Sequence, residues 1–208
     1  MAHREMNRLS LLFCLAGATA LAAEPGPGPK SGGIVMFGDS TTAKRPGAVD
    51  KVYAQRVQET LKGLGSNLLV QNAGIGGNST RDAMKRFSSD VLRHKPRLVV
   101  MQFGLNDSSV EVWREPPATE PRVSLAEFES NLRTMIEQAR QQGAKVILMT
   151  TNPQRWTAKL KELYGRAPYR PDDPDGFDAP VLACYNETVR KLAKELGVPL
   201  VDIHAAYP

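Results

Sequence analysis

Apolar residues along this chain fall into two alternating patterns. Ile34-Val35-Met36-Phe37 is a continuous run rich in β-formers that stops at Gly38-Asp39-Ser40. A run of this kind bounded by turn residues predicts a buried strand. Val52, Tyr53, Val57, Leu61 and Leu64 then recur at helical spacing, and Gly63 or Gly65 ends the pattern. Leu68-Leu69-Val70 predicts a short second strand, and the glycine-rich loop 72–78 follows it. Ser79 with Asp82 three residues on predicts a capped helix that reaches about His94, before Pro96. Residues 98–103 predict a third strand, with Gly104-Leu105-Asn106-Asp107 at its end. Ser124 and Glu127 form a capping box for a helix with Leu125, Phe128, Leu132, Ile136 and Ala139 on one face, and Gly143 stops it. Val146-Ile147-Leu148-Met149 predicts the fourth strand. A long loop, about 151–178, follows with a short helix around Leu160 and Leu163. Leu182, Tyr185, Val189, Leu192 and Leu196 predict another helix, and residues 198–203 the fifth strand. Strand and helix alternate throughout. The expected class is therefore α/β, a five-stranded parallel sheet with helices on both faces.

The amino-terminal residues stand apart from this pattern. Arg4 and Arg8 precede a run of apolar and small residues, 9–22, which closes on Ala20-Leu21-Ala22. That is the layout of a secretory signal peptide cleaved near Ala22 or Ala23. The run is too short for a membrane span, which takes about 20 residues. Phe13 stands before Cys14 where lipoprotein attachment favours a small residue. The expected organisation is a signal peptide at 1–23, a flexible Pro/Gly leader at 24–33 and one domain at 34–208. Cleavage would leave Cys184 alone, so no internal disulfide is expected, and Cys184 reads as a small core residue of its helix.

Composition narrows the function classes. Hydrophobic residues make up 41% of the 208 and charged residues 24%, as in ordinary globular proteins. The net charge is +5. The basic residues are scattered and not interleaved with aromatics, so no nucleic-acid partner is expected.

Three predicted loops hold the candidate chemistry. A parallel sheet brings Gly38-Asp39-Ser40, Asn72-Ala73-Gly74-Ile75-Gly76-Gly77-Asn78 and Gly104-Leu105-Asn106-Asp107 to the edge where α/β folds bind ligands. Each has a plain reading. Gly38 and Asp39 form turns and Ser40 caps, Gly-Leu-Asn-Asp is a turn, and the glycine loop cradles phosphate. Neither Gly-x-x-x-x-Gly-Lys-Ser/Thr nor Gly-x-Gly-x-x-Gly is present, which counts against the nucleotide reading. Taken together the loops offer a hydroxyl, an unobstructed backbone N–H and a side-chain amide. Acyl transfer uses such a set, a nucleophile facing donors for the developing oxyanion.

In order and spacing these loops resemble the first three blocks of the SGNH/GDSL hydrolase family. The resemblance covers residues 34 to the end. It implies a flavodoxin-like three-layer α/β/α sandwich and ester hydrolysis with neither metal nor cofactor. It also implies Ser40 as nucleophile and Ser40, Gly77 and Asn106 as oxyanion donors. The long loop with Trp156 resembles members that deacylate carbohydrates, so the expected substrate is an acyl ester, foremost an acetyl ester, of a carbohydrate or other small molecule. The family's last block, Asp-x-x-His, supplies the general base and its orienting carboxylate. Here His3 lies in the signal peptide and His94 ends a helix on the far side of the sheet. His204, in Asp202-Ile203-His204, is one residue short of the block's spacing and directly follows the fifth strand. The expectation is a C-terminally incomplete domain lacking its last helix, with His204 at most a makeshift base. The competing expectations are an inactive carbohydrate- or ligand-binding protein without the base, and a nucleotide-binding flavodoxin-like protein. Asn-x-Ser/Thr sequons start at Asn78, Asn106 and Asn186. A glycan on Asn106 would block the oxyanion site, which fits a secreted or periplasmic bacterial protein.

Overall fold

The computed structural model describes residues 32–44 and 50–207. The expected signal peptide and nearly all of the leader lie outside the described residues. Five strands, β1 (Ile34–Gly38), β2 (Val70–Gly74), β3 (Leu98–Gln102), β4 (Lys145–Met149) and β5 (Leu200–Val201), form one parallel sheet in the order β2-β1-β3-β4-β5. Among the described residues six α-helices connect or follow them: α1 (Tyr53–Gly63), α2 (Thr80–Asp90), α3 (Leu125–Gln141), α4 (Ala158–Tyr164), α5 (Leu182–Glu195) and α6 (Ile203–Ala206).

Successive strand residues point to opposite faces, and the core divides accordingly. Val35 and Phe37 of β1, Val99 and Met101 of β3, and Val146 and Leu148 of β4 pack with Phe87 of α2, Phe128 and Leu132 of α3, and Val189 and Leu192 of α5. Ile34, Met36, Val100 and Met149 pack on the other face with Val52 and Ala54, joined by Val57 and Leu61 of α1 and Ile203 of α6. The expected three-layer α/β fold is the fold adopted. Among the described residues no helix is long and apolar enough to cross a membrane.

Several boundaries differ from the sequence expectation, each for a local reason. The second strand begins at Val70 rather than Leu68, and Leu69 is 73% exposed. The Gln58 side chain donates to the Leu68 carbonyl (3.0 Å) and accepts from the Val70 N–H (2.7 Å), tying this entry to α1, while the Leu69 carbonyl accepts from Ile34 N–H (2.8 Å). Leu64 lies beyond the end of α1, where Gly65 at φ +75° reverses the chain, and it is exposed instead of buried. The helix from Ser79 stops at Asp90, and Leu92–His94 forms a separate 3-10 turn. The fifth strand is two residues long because the Asp202 carboxylate accepts from the Ala205 N–H (3.2 Å) and starts α6. Cys184 is exposed, a correction to its reading as core. The buried stripe of α5 runs through Leu182, Tyr185, Val189 and Leu192, and Cys184 falls outside it.

One close approach fixes where the first two loops meet. A Cβ on Gly74 would lie 2.3 Å from the Ala43 nitrogen and 2.6 Å from the Thr42 carbonyl carbon. Both are backbone atoms that cannot swing aside. Gly74→Ala is therefore expected to destabilise the protein by roughly 1–3 kcal/mol. Gly63→Ala, at a helical position with nothing within 4 Å of the added methyl, is expected to stabilise it by roughly 0.5–1 kcal/mol. Urea midpoints of the two variants check this pair, and equal midpoints would refute the close-approach argument.

Candidate active site

The strand register sets the site. Gly38 pairs with Gly74 of β2 and Gln102 of β3, so the three strands end level and their loops leave the sheet side by side. Asp39, at the tip of β1, is fully buried. Its Oδ1 accepts from the backbone N–H of Thr41 (2.8 Å) and from the Thr41 hydroxyl (2.9 Å). Its backbone carbonyl accepts from the N–H groups of Thr42 and Ala43 (3.2 and 3.0 Å). This local folding of the chain presents Ser40, half-buried, at the head of the turn.

The second loop is tied directly to that turn. Asn72 donates from Nδ2 to the Thr42 carbonyl (2.7 Å), and its Oδ1 accepts from the Gly74 N–H (2.9 Å). Ile75 N–H donates to the Gly38 carbonyl (3.1 Å). The glycine-rich stretch then passes over Ser40, where a Cβ on Gly76 would lie 3.8 Å from the Ser40 Cβ. Gly77 follows at φ +77°, a left-handed conformation that suits glycine.

Asn106 of the third loop reaches both others. Its Nδ2 donates to the Asn78 carbonyl (3.0 Å) and to Asp39 Oδ2 (3.2 Å). An amide nitrogen carries two hydrogens, so both are engaged in this state. Donation to a developing oxyanion therefore requires one of these bonds to yield, and the bond to Asp39 is the longer. Asp107, beside it, is fully buried. Its Oδ1 accepts from the Thr80 N–H (2.8 Å) and hydroxyl (2.5 Å), which anchors the start of α2, while Oδ2 has no hydrogen-bond partner among the described residues. Burial pushes the Asp107 carboxyl up to about 6 against the lowering effect of Thr80, and the Asp39 charge adds to the rise.

Ser40, Thr41, Lys51, Val52, Tyr53, Leu105, Asn152 and Gln154 line an open cleft of about 440 Å³. The Tyr53 hydroxyl lies 3.0 Å from that of Thr42, and burial raises its pKa to about 12, so it stays protonated. The structure thus brings Ser40, the Gly76-Gly77 stretch and Asn106 to one place. It does not bring the histidines there. His94 sits just before β3, at the opposite edge of the sheet, with Nε2 2.9 Å from Gln71 Nε2. His204 stands in the first turn of α6. Its N–H donates to Thr150 Oγ1 (2.9 Å), and its Nε2 lies 3.6 Å from Asp178 Oδ2. Burial raises the Asp178 pKa, against the pull of the Gln154 N–H and His204. β5 is three strands from β1, about 14 Å at the usual strand spacing. Neither His94 nor His204 lines the cleft of Ser40.

Sequence reasoning passed over Arg86. Its guanidinium donates to the carbonyls of Gly38 (2.9 Å) and Ala73 (2.8 Å), to Asn78 Oδ1 (2.7 Å) and to Asp90 (3.0 Å), and lies 4.4 Å from the Phe37 ring centre. A signal was present. Arg86 is a charged residue adjoining the Ala83–Phe87 stripe of α2, both of which are buried. Among the described residues no three His, Cys, Asp or Glu side chains are grouped to hold a metal ion.

A level row of loops at the carboxyl edge of a flavodoxin-like parallel sheet, with a serine and an asparagine converging there, defines a three-layer α/β architecture of the SGNH hydrolase type. The GDSL-like lipase/acylhydrolase family model matches residues 36–208, and the chain belongs to that family of ester hydrolases. An uncharacterised lipoprotein of Bacillus subtilis is 36% identical over 196 residues, 92% of this chain and 75% of that protein. An acetylxylan esterase of Geobacillus stearothermophilus is 29% identical over 179 residues, 76% of this chain and 80% of the relative. Among solved structures, an acetylxylan esterase from Geobacillus stearothermophilus superposes with a TM-score of 0.64 at 27% identity, covering 85% of this chain and 78% of that one. A lipase/acylhydrolase from Enterococcus faecalis gives 0.62 at 29% identity, covering 84% and 77%.

The Asp107 carboxyl makes a signed prediction. Unfolded, it titrates near 3.9, and folded near 6, so the native state holds the proton more tightly. Its contribution to stability is fully present below pH 4 and is lost as pH rises through 6. Asp107→Asn keeps an oxygen for Thr80 and removes the ionisation. Relative to wild type, the variant's stability should rise by on the order of 2 kcal/mol between pH 4 and 7.5. Urea titrations at both pH values measure this, and a pH-independent difference would refute it.

Proposed function

We propose that this protein is an exported serine esterase that removes acyl groups from a carbohydrate ester. Ser40 is the nucleophile, and its own N–H, the Gly77 N–H and Asn106 Nδ2 are the oxyanion donors. The observation that carries this reading is the level ending of β1, β2 and β3, which sets Ser40, the glycine loop and Asn106 around one point. In the reaction Ser40 Oγ attacks the ester carbonyl carbon, its proton passes to a general base, and the alcohol leaves with a proton. Water then cleaves the acyl-serine, releasing the acid and restoring the hydroxyl. The acetylxylan esterase relatives support the carbohydrate substrate. The lipoprotein relative supports export, and in this reading the signal peptide is 1–23, the leader 24–33 and the hydrolase domain 34–208.

A second reading, a ligand-binding protein without a base, is favoured by one observation: no described histidine lines the cleft of Ser40. His204 is the base candidate that the carboxyl edge offers, and the strand order sets it apart from Ser40.

Release of p-nitrophenol from its acetate ester tests these roles. Ser40→Ala is expected to lose at least roughly a thousandfold in kcat/KM. Asn106→Ala should lose about 10²–10³. In both variants the thermal transition should be retained. His204→Ala is expected to stay within about twofold of wild type. Wild-type rates in Ser40→Ala would remove Ser40 from the chemistry, and a collapse in His204→Ala would make His204 the base. A folded wild-type protein that binds the ester without hydrolysing it would favour the second reading.

A further inference from the structure

A second cavity opens on the other side of Leu105 and Asn106. It measures about 160 Å³ and is lined chiefly by Leu160, Tyr164, Tyr169, Phe177, Val181 and Leu182, with Leu105 and Asn106 also in its wall. Leu105 and Gln154 belong to both this cavity and the cleft of Ser40, so the two compartments adjoin. Their characters are opposed. The Ser40 side carries Thr41, Lys51, Tyr53, Asn152 and Gln154, whereas the second is walled mainly by rings and branched aliphatics, with Asn106, Ser108, Ser109 and Gln154 completing its lining. Those walls are fixed. The Tyr169 hydroxyl accepts from the Val110 N–H (2.9 Å), the Tyr164 hydroxyl accepts from Trp113 Nε1 (3.1 Å), and the Tyr169 and Phe177 rings stack at 4.9 Å.

An ester of a polyol has one polar end and one apolar end, and the two compartments match them. We propose that the apolar cavity is the acyl subsite, and that it takes acyl groups larger than acetyl, up to six carbons or one benzene ring. This rests on the reading of Ser40 and Asn106 as nucleophile and oxyanion donor. An apolar cavity of about 150 Å³ accommodates benzene, and this one has that size. Acetate would leave most of it unfilled.

The subsite and the nucleophile are tested separately. Methyl-labelled Ser40→Ala protein is titrated with hexanamide, a neutral ligand that needs no chemistry. The methyl signals of Leu160, Val181 and Leu182 should move, and Leu160→Trp, which fills the cavity, should abolish the shifts. Initial rates are then measured by pH-stat on methyl glucoside esters of acetate, butyrate, hexanoate, octanoate and benzoate. In wild type kcat/KM should rise roughly three- to fourfold per added methylene up to hexanoate, remain high for benzoate and fall at octanoate. The hexanoate-to-acetate ratio should drop at least tenfold in Leu160→Trp. Absent methyl shifts, a flat acyl series, or a ratio unchanged in Leu160→Trp would each overturn the subsite. Hydrolysis persisting in Ser40→Ala would instead overturn the nucleophile while the methyl shifts still report on the cavity.

Discussion

The candidate site depends on one cation, Arg86, whose side chain is only 13% exposed. Three loops leave the sheet edge with no covalent tie between them, and Arg86 satisfies acceptors on two of them at once. Its donors reach Gly38 just before the Asp39-Ser40 turn, and Ala73 and Asn78 on the glycine-rich loop. A guanidinium presents five N–H groups in a planar fork, which is why one side chain can span acceptors that a lysine would reach singly. The arrangement extends beyond its direct contacts. Asn78, held through its side chain by Arg86, offers its carbonyl to Asn106. The third loop is thus fixed through the second, and the second through α2. Burying a charge is costly unless every donor finds a partner. Here the Asp90 carboxylate and the Phe37 ring complete the shell.

This network shows why part of the molecule was legible in sequence and part was not. The sheet was legible because its residues obey a short-range rule: a buried parallel strand must be apolar on both faces, so Ile34-Val35-Met36-Phe37 declares itself. That the loops of Ser40, Gly77 and Asn106 meet at one edge was legible because a parallel sheet brings its strand ends together. Arg86 was not, because its partners lie up to 48 positions away and two of the four are backbone carbonyls, which leave no mark in a sequence. The apolar cavity was hidden for a related reason. Tyr164 and Tyr169 could be counted in the long loop, but what they enclose depends on Val110 and Trp113 from a different loop. Cys184 shows the converse error. A residue can lie among apolar neighbours in a helix and still be turned outward, because a few tens of degrees around the axis separate the buried stripe from solvent.

The two acidic residues at the site divide the structural work by environment. Asp39 is surrounded by donors from Thr41 and Asn106 and shapes the serine turn. Asp107 has donors on one oxygen only, and its carboxyl is pushed up toward neutrality. Asp107 therefore serves chiefly to clamp Thr80 and start α2, the helix that carries Arg86. The pinning of α2 and the setting of the loops are thus one arrangement: Asp107 places the helix, the helix places Arg86, and Arg86 places the turn that offers Ser40.

The hydrogen bonds of Asn106 bear on how such a site would work. An oxyanion donor is most effective when it is oriented before the charge develops. In the resting site Asn106 is oriented, but its two hydrogens are held by a neutral carbonyl and by a carboxylate oxygen. The carboxylate bond is the longer one and carries charge on the acceptor. A substrate oxygen entering the site would compete with Asp39 for that hydrogen, while the bond to Asn78 would keep the amide plane in place. The donor would then be exchanged rather than reoriented. The asymmetry between 3.0 and 3.2 Å fits this division, with one bond to position the amide and one to be surrendered to the substrate. Because the positioning bond leads back through Asn78 to Arg86, the precision of the proposed oxyanion hole is set on α2 rather than at the strand ends.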